Sequence, residues 1–392
     1  MELTLPHKIV FGAGKCREVG NVARTLGHRA VLITGSRTLD KLGIVRRLIA
    51  DLEHAGVSIL TTETISHEPE TQDVDRLVSR LRGTLLPGDF VIGFGGGSAI
   101  DLGKAVAALL PQEIAPVIDY LEGVGRGLTL KQPPLPILAM PTTAGTGAEA
   151  TKNAVIASYG DTVFGSPAFK KSLRHDQMMP QAVVVDPELM LHCPRKVTAE
   201  SGLDAITQLL ESYVCCKHQP FTDALIEQCL PQTISALETL LEMPENLEAR
   251  CTMAYGAMLS GITLANSGLG MAHGVAPALG THCRVTHGAA CALMLPITLR
   301  TNAAVCANRY AKLSHLLFGF DQTISDETAT NRLIDRIEQL CRGFGLPMRL
   351  SDCGIDETLI PAIARNSKGN SMSGNPKELN ESEIEQILRT IY

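Results

Sequence analysis

The hydrophobic positions in the first half of the chain follow two periods in turn. Mainly apolar runs, which are typical of buried strands, occur at residues 30–33, 57–60, 90–94 and 136–140. Between these runs, apolar residues recur every three or four positions at 42–52 and 74–81, as expected of helices. Strands separated by helices require crossover connections, so the pattern predicts a mainly parallel sheet that is covered on both faces.

A change of period marks the second half of the chain. Residues 153–185 contain short extended runs broken by glycine and proline, which predicts a hairpin at the sheet edge. From Thr198 onward almost every apolar pattern has the helical period. The prediction is therefore an α/β domain over residues 1–190 and an all-helical domain over residues 191–392.

Two glycines interrupt one of the helical patterns in the second domain. Gly256 and Gly261 each weaken a helix by roughly 1 kcal/mol relative to alanine. We interpret them as points of close contact between helices.

Composition and charge limit the classes of partner. The 392 residues are 45% hydrophobic and 19% charged, with a net charge of -6 and a pI near 6.0, and they contain no basic patch for nucleic acid or an anionic membrane. No stretch predicts a membrane span, and the start of the chain lacks the pattern of a secretory signal. We expect a cytoplasmic protein with reduced cysteines, and neither nucleic acid nor membrane as a partner.

A glycine-rich turn follows the third apolar run and opens a helix. Gly95, Gly96 and Gly97 have no side chains, so the backbone can bend sharply and approach a ligand closely. Amides at the start of the helix, from Ser98 onward, can then point at phosphate oxygens. The turn predicts a pyrophosphate cradle, and a plain tight connection between strand and helix is the alternative.

A second polar loop, residues 141–151, follows the next strand. The hydroxyls of Thr142, Thr143 and Thr146 suit hydrogen bonds to ribose, phosphate or a carboxamide. Open α/β sheets bind ligands at the carboxyl ends of their strands, so two such loops predict a dinucleotide crevice. An ordinary polar turn is the alternative.

The helical half contains candidate metal ligands. Asp204 and Gln208 lie four positions apart on one face of a predicted helix, and His273 and His287 lie in stretches that are otherwise small and apolar. Imidazoles beside a carboxylate suit Fe(II) or Zn(II). Two alternatives stay open. The helix face that carries Asp204, Gln208 and Glu211 could simply be exposed to solvent, and each histidine could be a hydrogen-bonded residue of the core.

Six motifs, in their order and approximate spacing, resemble those of the iron-containing (group III) alcohol dehydrogenases. They are GGGSAID, PTTAGTGAEAT, VVVDPEL, GLDAITQLLESYV, GLGMAHGV and THGAACALMLP. The closing segment GNPKELNESEIEQIL is similar to the end of the same family. Because the resemblance extends over essentially the whole chain, the sequence is identified as a member of this family.

The resemblance implies a fold, an activity and a set of site residues. The fold is an α/β dinucleotide-binding domain with a mainly parallel sheet, followed by an all-helical domain that binds metal and carries catalysis. The implied cofactors are NAD or NADP and Fe(II), alternatively Zn(II), and the implied assembly is a homodimer or a higher homo-oligomer. The residues implied to bind the dinucleotide are Gly35, Ser36, Gly95, Gly96, Gly97, Ser98, Asp101, Thr142, Thr143, Thr146 and Lys170. The implied metal ligands are Asp204, Gln208, His273 and His287, and the implied catalytic residues are Asp204, His273, His287 and His282.

Three positions depart from the family pattern. Gln208 stands where the family usually has a histidine ligand, and its neutral oxygen is a weaker donor. Pro277 stands where many members have a histidine that relays a proton. His282 is the candidate substitute, and the alternative is an ordinary surface residue with no part in the relay. At the end of the first strand, Gly35 and Ser36 replace the acidic residue of many NAD-using members, which opens the site to NADP.

The expected reaction is hydride transfer between a small alcohol and C4 of the nicotinamide, in a cleft between the domains. The metal would stabilise the alkoxide or, in reverse, polarise the carbonyl of an aldehyde or ketone. Three other functions stay open. They are a metal-independent reductase similar to maleylacetate reductase, a lyase similar to dehydroquinate synthase, and a degenerate member that binds nucleotide or assembles structurally.

Overall fold

A computed structural model of the chain describes residues 2–35, 37–160 and 168–392. The chain divides into two compact units. The amino-terminal unit is Thr4–Cys193, and the carboxyl-terminal unit is Pro194–Tyr392 together with the segment before Thr4.

The amino-terminal unit is built on a parallel sheet. Its strands are β1 (Lys8–Phe11), β2 (Arg29–Gly35), β3 (Ser58–Ile65), β4 (Asp89–Gly95), β5 (Ile137–Pro141), β6 (Asn153–Ser158), β7 (Phe169–Arg174) and β8 (Ala182–Val185). Six of them form one sheet in the order β1-β8-β5-β4-β2-β3, and every neighbouring pair is parallel. The predicted parallel sheet is confirmed.

The side chains of β2 explain why the sheet is covered on both faces. Val31 and Ile33 pack into one buried apolar cluster, and Ala30 and Leu32 pack into another. This alternation is the period of two that a strand requires. The helices of this unit, which contribute further side chains to the two clusters, are α1 (Val19–Arg24), α2 (Arg37–Lys41), α3 (Ile44–His54), α4 (Thr71–Leu81) and α5 (Gly97–Leu109).

The predicted hairpin is present, but it does not extend the main sheet. β6 and β7 pair antiparallel as a separate two-stranded sheet. The backbone N–H of Val155 in β6 donates to Oδ2 of Asp101 in α5 at 3.1 Å, so the hairpin is fastened to a helix. The part of the predicted hairpin at residues 161–167 lies outside the described residues.

The carboxyl-terminal unit is helical throughout its described secondary structure, as predicted. Its helices are α6 (Arg195–Val214), α7 (Pro220–Glu242), α8 (Leu247–Ser267), α9 (Met271–Cys283), α10 (His287–Phe318), α11 (Asp326–Gly343), α12 (Ile360–Asn366) and α13 (Glu381–Thr390).

Helix α10 forms the apolar centre of this unit. By length and composition alone it is able to cross a membrane, yet 67% of its most apolar stretch is buried within the protein. Its Leu293 and Met294 pack with Val275 of α9, Ile363 of α12 and Leu388 of α13. Such burial is typical of a core helix.

The contact between α7 and α8 depends on Gly256. A Cβ at this position would overlap the side chain of Thr233 in α7. The interpretation of Gly256 as a point of close helix contact is therefore confirmed.

We expect Gly256→Ala to destabilise the protein by about 1–3 kcal/mol, because the added methyl group overpacks a buried helix contact. The control is Gly343→Ala at the end of α11, where a Cβ would meet nothing within 4 Å. That variant should gain up to about 1 kcal/mol from helix propensity. Thermal unfolding followed by circular dichroism measures both shifts, and equal shifts in the two variants would contradict this account.

Candidate functional site

One face of α6 carries polar side chains that are buried. Asp204 is 1% exposed, and Gln208 and Glu211 are each 3% exposed. Asp204 and Gln208 lie one helical turn apart, and Glu211 follows Gln208 by three positions, so the three side chains share a face. The alternative that this face is simply solvated is therefore wrong.

Four side chains of this unit converge on one point. Oδ1 of Asp204 lies 3.1 Å from Nε2 of His273 and 3.7 Å from Nε2 of His287. Sγ of Cys291 lies 3.6 Å from Nε2 of His273 and 3.7 Å from Nε2 of His287. All four donor atoms are within 4.8 Å of one another, a spacing that suits a shared metal ion.

Glu211 orients the first of these histidines. Its Oε2 lies 2.7 Å from Nδ1 of His273, and its Oε1 accepts a hydrogen bond from the backbone N–H of Ala272 at 2.6 Å. The carboxylate therefore caps the start of α9 and holds a proton on Nδ1, since a carboxylate is an acceptor. Nε2, on the other side of the ring, faces the other three donor atoms of the group.

The second histidine is positioned by the first turn of α10. His287 is the first residue of that helix, and a Cβ on the next residue, Gly288, would overlap the backbone of Glu200 in α6. This close approach brings the start of α10 against α6, one turn before Asp204. The glycine therefore determines how near His287 comes to the carboxylate.

The pKa values of the cluster describe a site that attracts a cation. Burial opposes ionisation of Asp204, yet His287 and His273 hold the pKa of its carboxyl group below the ordinary value. Burial alone would lower the pKa of His273, but Cys291, Asp204 and Glu211 raise it well above the ordinary value. Burial raises the pKa of the Cys291 thiol to about 12. Two nearby carboxylates therefore favour a positive charge at the centre of the cluster.

The other two residues implied from the sequence lie in different surroundings. Oε1 of Gln208 accepts a hydrogen bond from Oγ of Ser260 in α8 at 2.6 Å. Nε2 of His282 lies 2.7 Å from Nδ2 of Asn366. His282 follows His273 by nine positions in α9, which places it on the opposite face and about 13 Å along the helix. The structure does not group His282 with the cluster.

Cys291 is the member of the cluster that sequence reasoning missed. It lies four positions after His287 in the motif THGAACALMLP, and this spacing places both side chains on one helix face. The signal was therefore present as a histidine and a cysteine one turn apart. It is a weak signal, because a buried cysteine usually behaves as a small apolar residue.

In the amino-terminal unit, the ends of three strands bring the predicted cradle together. Gly35 ends β2 and Gly95 ends β4, and Gly95 pairs in register with Pro141 at the end of β5. A Cβ on Gly95 would come 2.6 Å from the backbone N of Gly35, so the close approach of the two strand ends requires glycine at position 95. The chain leaves β2 toward β3 and leaves β4 toward β5 on the other side, which is the switch point where open sheets bind ligands.

The two polar loops meet directly above this switch point. The backbone N–H of Thr142 donates to the carbonyl oxygen of Gly95 at 2.9 Å, and a Cβ on Gly97 would come 2.8 Å from Oγ1 of Thr146. Gly96 precedes α5 without a side-chain cap. The partly exposed members of this group are Gly96, Gly97, Ser98, Thr142, Thr143 and Thr146. They present backbone amides and hydroxyls beside an uncapped helix start, which suits a diphosphate.

Two further predicted residues have protein partners. Asp101 lies 3.7 Å from Nζ of Lys104 and accepts from Val155, so it fastens the hairpin to α5. Nζ of Lys170 lies 2.6 Å from Oε1 of Glu68. The predicted residue Ser36, which follows the end of β2, lies outside the described residues. Dinucleotide roles for these residues remain predictions.

A buried lysine supports the second loop. Nζ of Lys104, which has no exposed surface, donates to Oγ1 of Thr151 at 2.7 Å and to the carbonyl of Asn153 at 2.7 Å. Burial lowers the pKa of Lys104 to about 8. Burial also raises the pKa of Glu149, within the same loop, to about 7. Hydrogen bonds from the ammonium group of Lys104 therefore fix the end of the loop.

Comparison with known proteins gives one consistent result. Residues 6–187 match the iron-containing alcohol dehydrogenase family, and residues 198–392 match its carboxyl-terminal family model. The chain is 29% identical to an NADPH-dependent butanol dehydrogenase of Clostridium saccharobutylicum, over 100% of this chain and 98% of the relative. It is 28% identical to an NAD-dependent methanol dehydrogenase of Bacillus methanolicus, over 98% of each. A crystal structure of 1,3-propanediol oxidoreductase superposes with a TM-score of 0.90 at 29% identity, over 100% of this chain and 99% of that one.

We expect Glu211→Gln to weaken Zn(II) binding by about 10–100-fold, because the amide no longer fixes the proton on Nδ1 of His273. Chelator competition measures the dissociation constant. Glu238→Gln, which changes a surface ion pair with Arg336, is the control and should leave the affinity unchanged. Equal affinities in both variants would remove the orienting role of Glu211.

We expect Glu149 to make stability depend on pH. Because its pKa rises from 4.5 to about 7 on folding, the folded state keeps a proton that the unfolded state loses. The resulting stabilisation is complete below pH 4.5 and is lost as the pH rises through 7. The difference in melting temperature, wild type minus Glu149→Gln, should therefore decrease as the pH is raised from 5 to 8. Glu113→Gln, at an exposed carboxylate, should show no such trend.

Proposed function

The chain belongs to the iron-containing alcohol dehydrogenase family, and from this premise we propose how its residues serve that activity. It is an NAD(P)-dependent oxidoreductase that acts on CH–OH groups. We assign metal binding to Asp204, His273 and His287, and dinucleotide binding to the turn at Gly95 and the loop that follows β5. The substrate is a small alcohol with its aldehyde or ketone.

The observation that carries this assignment is the convergence of three donor atoms. Oδ1 of Asp204 lies 3.1 Å from Nε2 of His273 and 3.7 Å from Nε2 of His287; Asp204 and His273 are buried, and His287 is partly exposed. Two imidazoles and a carboxylate suit Fe(II) and Zn(II), and Glu211 accepts from Nδ1 of His273 the hydrogen bond that a metal-binding histidine normally makes. This set favours a metal-using dehydrogenase over a metal-independent reductase.

In the overall reaction, an alcohol and NAD(P)+ give a carbonyl compound, NAD(P)H and a proton. Asp204, His273 and His287 would hold a divalent cation, which would supply Lewis acidity toward a hydroxyl or carbonyl oxygen. Asp204 holds the negative charge that retains the cation, and Glu211 holds the proton on Nδ1 of His273. Burial of Asp204 and His273 keeps bulk water away from these groups.

We propose that the end of β2 admits either NAD or NADP. Gly35 has no acidic side chain to repel a 2′-phosphate, so both NAD and NADP fit the sequence at this strand end. The named relatives include one NADPH-dependent and one NAD-dependent enzyme. We further propose a cytoplasmic homodimer or higher homo-oligomer.

We expect Asp204→Ala and His287→Ala to abolish metal retention and to lower turnover to background, because each removes a charged or imidazole ligand. Dinucleotide affinity should change less than about twofold, since the proposed cradle lies in the other unit. His315→Ala, which changes another histidine of α10, is the matched control.

Metal content is measured by mass spectrometry, and turnover by the absorbance of the reduced nicotinamide in a panel of alcohols with NAD+ and with NADP+. The control should keep both properties. Full activity after the metal is stripped from the wild type would overturn the proposed function.

A further inference from the structure

Cys291 belongs to the apolar cluster around α9 and α10, and its thiol also lies beside the two histidines. Its side chain is fully buried, and its Sγ lies 3.6 Å and 3.7 Å from the Nε2 atoms of His273 and His287. These are the two nitrogens that face Asp204. The thiol therefore completes a ring of four donor atoms around one point.

The spacing of these atoms matches a tetrahedral metal site. With bonds of about 2.0–2.1 Å to nitrogen and oxygen and about 2.3 Å to sulfur, a tetrahedron has N···O edges of about 3.3 Å and S···N edges of about 3.6 Å. The observed N···O separations are 3.1 Å and 3.7 Å. The observed S···N separations are 3.6 Å and 3.7 Å. Four of the six edges therefore agree with such a tetrahedron, and the remaining two separations are within 4.8 Å.

The local structure keeps the thiol in this place. Cys291 and His287 share one face of α10, because they are one turn apart. The next turns of the helix are anchored by Leu293 and Met294 in the apolar cluster with α9 and α13. Gln208, by comparison, offers a neutral amide oxygen that already accepts a hydrogen bond from Ser260.

We propose that Cys291, as a thiolate, is the fourth protein ligand of the metal, and that this role does not fall to Gln208. The proposal rests on the proposed function, since it concerns the same metal. When the sulfur–metal bond forms, the thiol proton leaves to solvent, and no atom changes oxidation state. A thiolate makes the donor set softer than carboxylate, imidazole and amide alone, so the site favours Zn(II) over Fe(II).

Cobalt substitution tests the ligand directly. The purified protein is stripped of metal under reducing conditions and loaded with one equivalent of Co(II). Wild type is expected to show an intense near-ultraviolet sulfur-to-cobalt charge-transfer band together with visible ligand-field bands. Cys291→Ser should lose the charge-transfer band, and its affinity for Zn(II) should fall at least about 10-fold.

Two variants separate this proposal from its alternatives. Cys306→Ser removes another buried cysteine of α10 and should keep the band. Gln208→Ala should also keep it, whereas loss of metal in Gln208→Ala with an intact site in Cys291→Ser would assign the ligand to Gln208 and overturn the proposal. Circular dichroism confirms that each variant is folded.

The same experiment distinguishes the two levels of inference. Ligand-field bands without a charge-transfer band in wild type would overturn the role of Cys291 alone. Failure of wild type to retain Co(II) or Zn(II) at one equivalent would overturn the metal site of the proposed function as well.

Competition between metals tests the predicted preference. In an anaerobic mixture of equal Zn(II) and Fe(II), the ratio of bound zinc to bound iron should be lower for Cys291→Ser than for wild type. An unchanged ratio would remove the preference from the proposal.

Discussion

The burial of two carboxylates on one face of α6 is the constraint on which the helical unit depends. Removing a carboxylate from water costs several kcal/mol unless hydrogen bonds and opposite charge compensate. His273 contacts both carboxylates: its Nε2 lies 3.1 Å from Asp204, and its Nδ1 lies 2.7 Å from Glu211. The backbone amide of Ala272 adds a further hydrogen bond to Glu211. The start of α9 is therefore held in place by the same charges that create the site.

In the amino-terminal unit, the proposed ligand cradle is formed mainly by backbone groups and less by side chains. Glycines at the ends of β2 and β4 allow the two strand ends to approach closely, because a Cβ on Gly95 would overlap the backbone of Gly35. The second loop then lies on the ammonium of Lys104, which is buried and donates to Thr151 and Asn153. The uncapped helix start beside the loop favours a negatively charged ligand.

The elements of the fold were predictable because each depends on local periodicity. The apolar runs of β2 and β4 and the helical spacing of α3 and α4 gave a covered parallel sheet, and the structure confirms it. The hairpin was predictable, but its attachments through hydrogen bonds from Val155 to Asp101 and from Ala157 to Pro69 were not, because no local pattern encodes them. The candidate site was predictable only in part. Its Asp204, His273 and His287 were named, whereas Cys291 was overlooked because cysteine serves equally as an apolar residue and as a ligand.

By itself the sequence determined the two-part architecture, the two glycine-containing loops and the family, since these depend on residue type and spacing along the chain. Only the tertiary structure decided that the polar face of α6 lies against histidines and not against water. Amphipathic spacing states which side chains share a face, but what that face meets depends on helices that are more than 60 positions away in the chain, as the contact of Asp204 with His273 demonstrates. The same packing of α9 and α10 on α6 decided that a thiol, one turn after His287, stands beside that carboxylate.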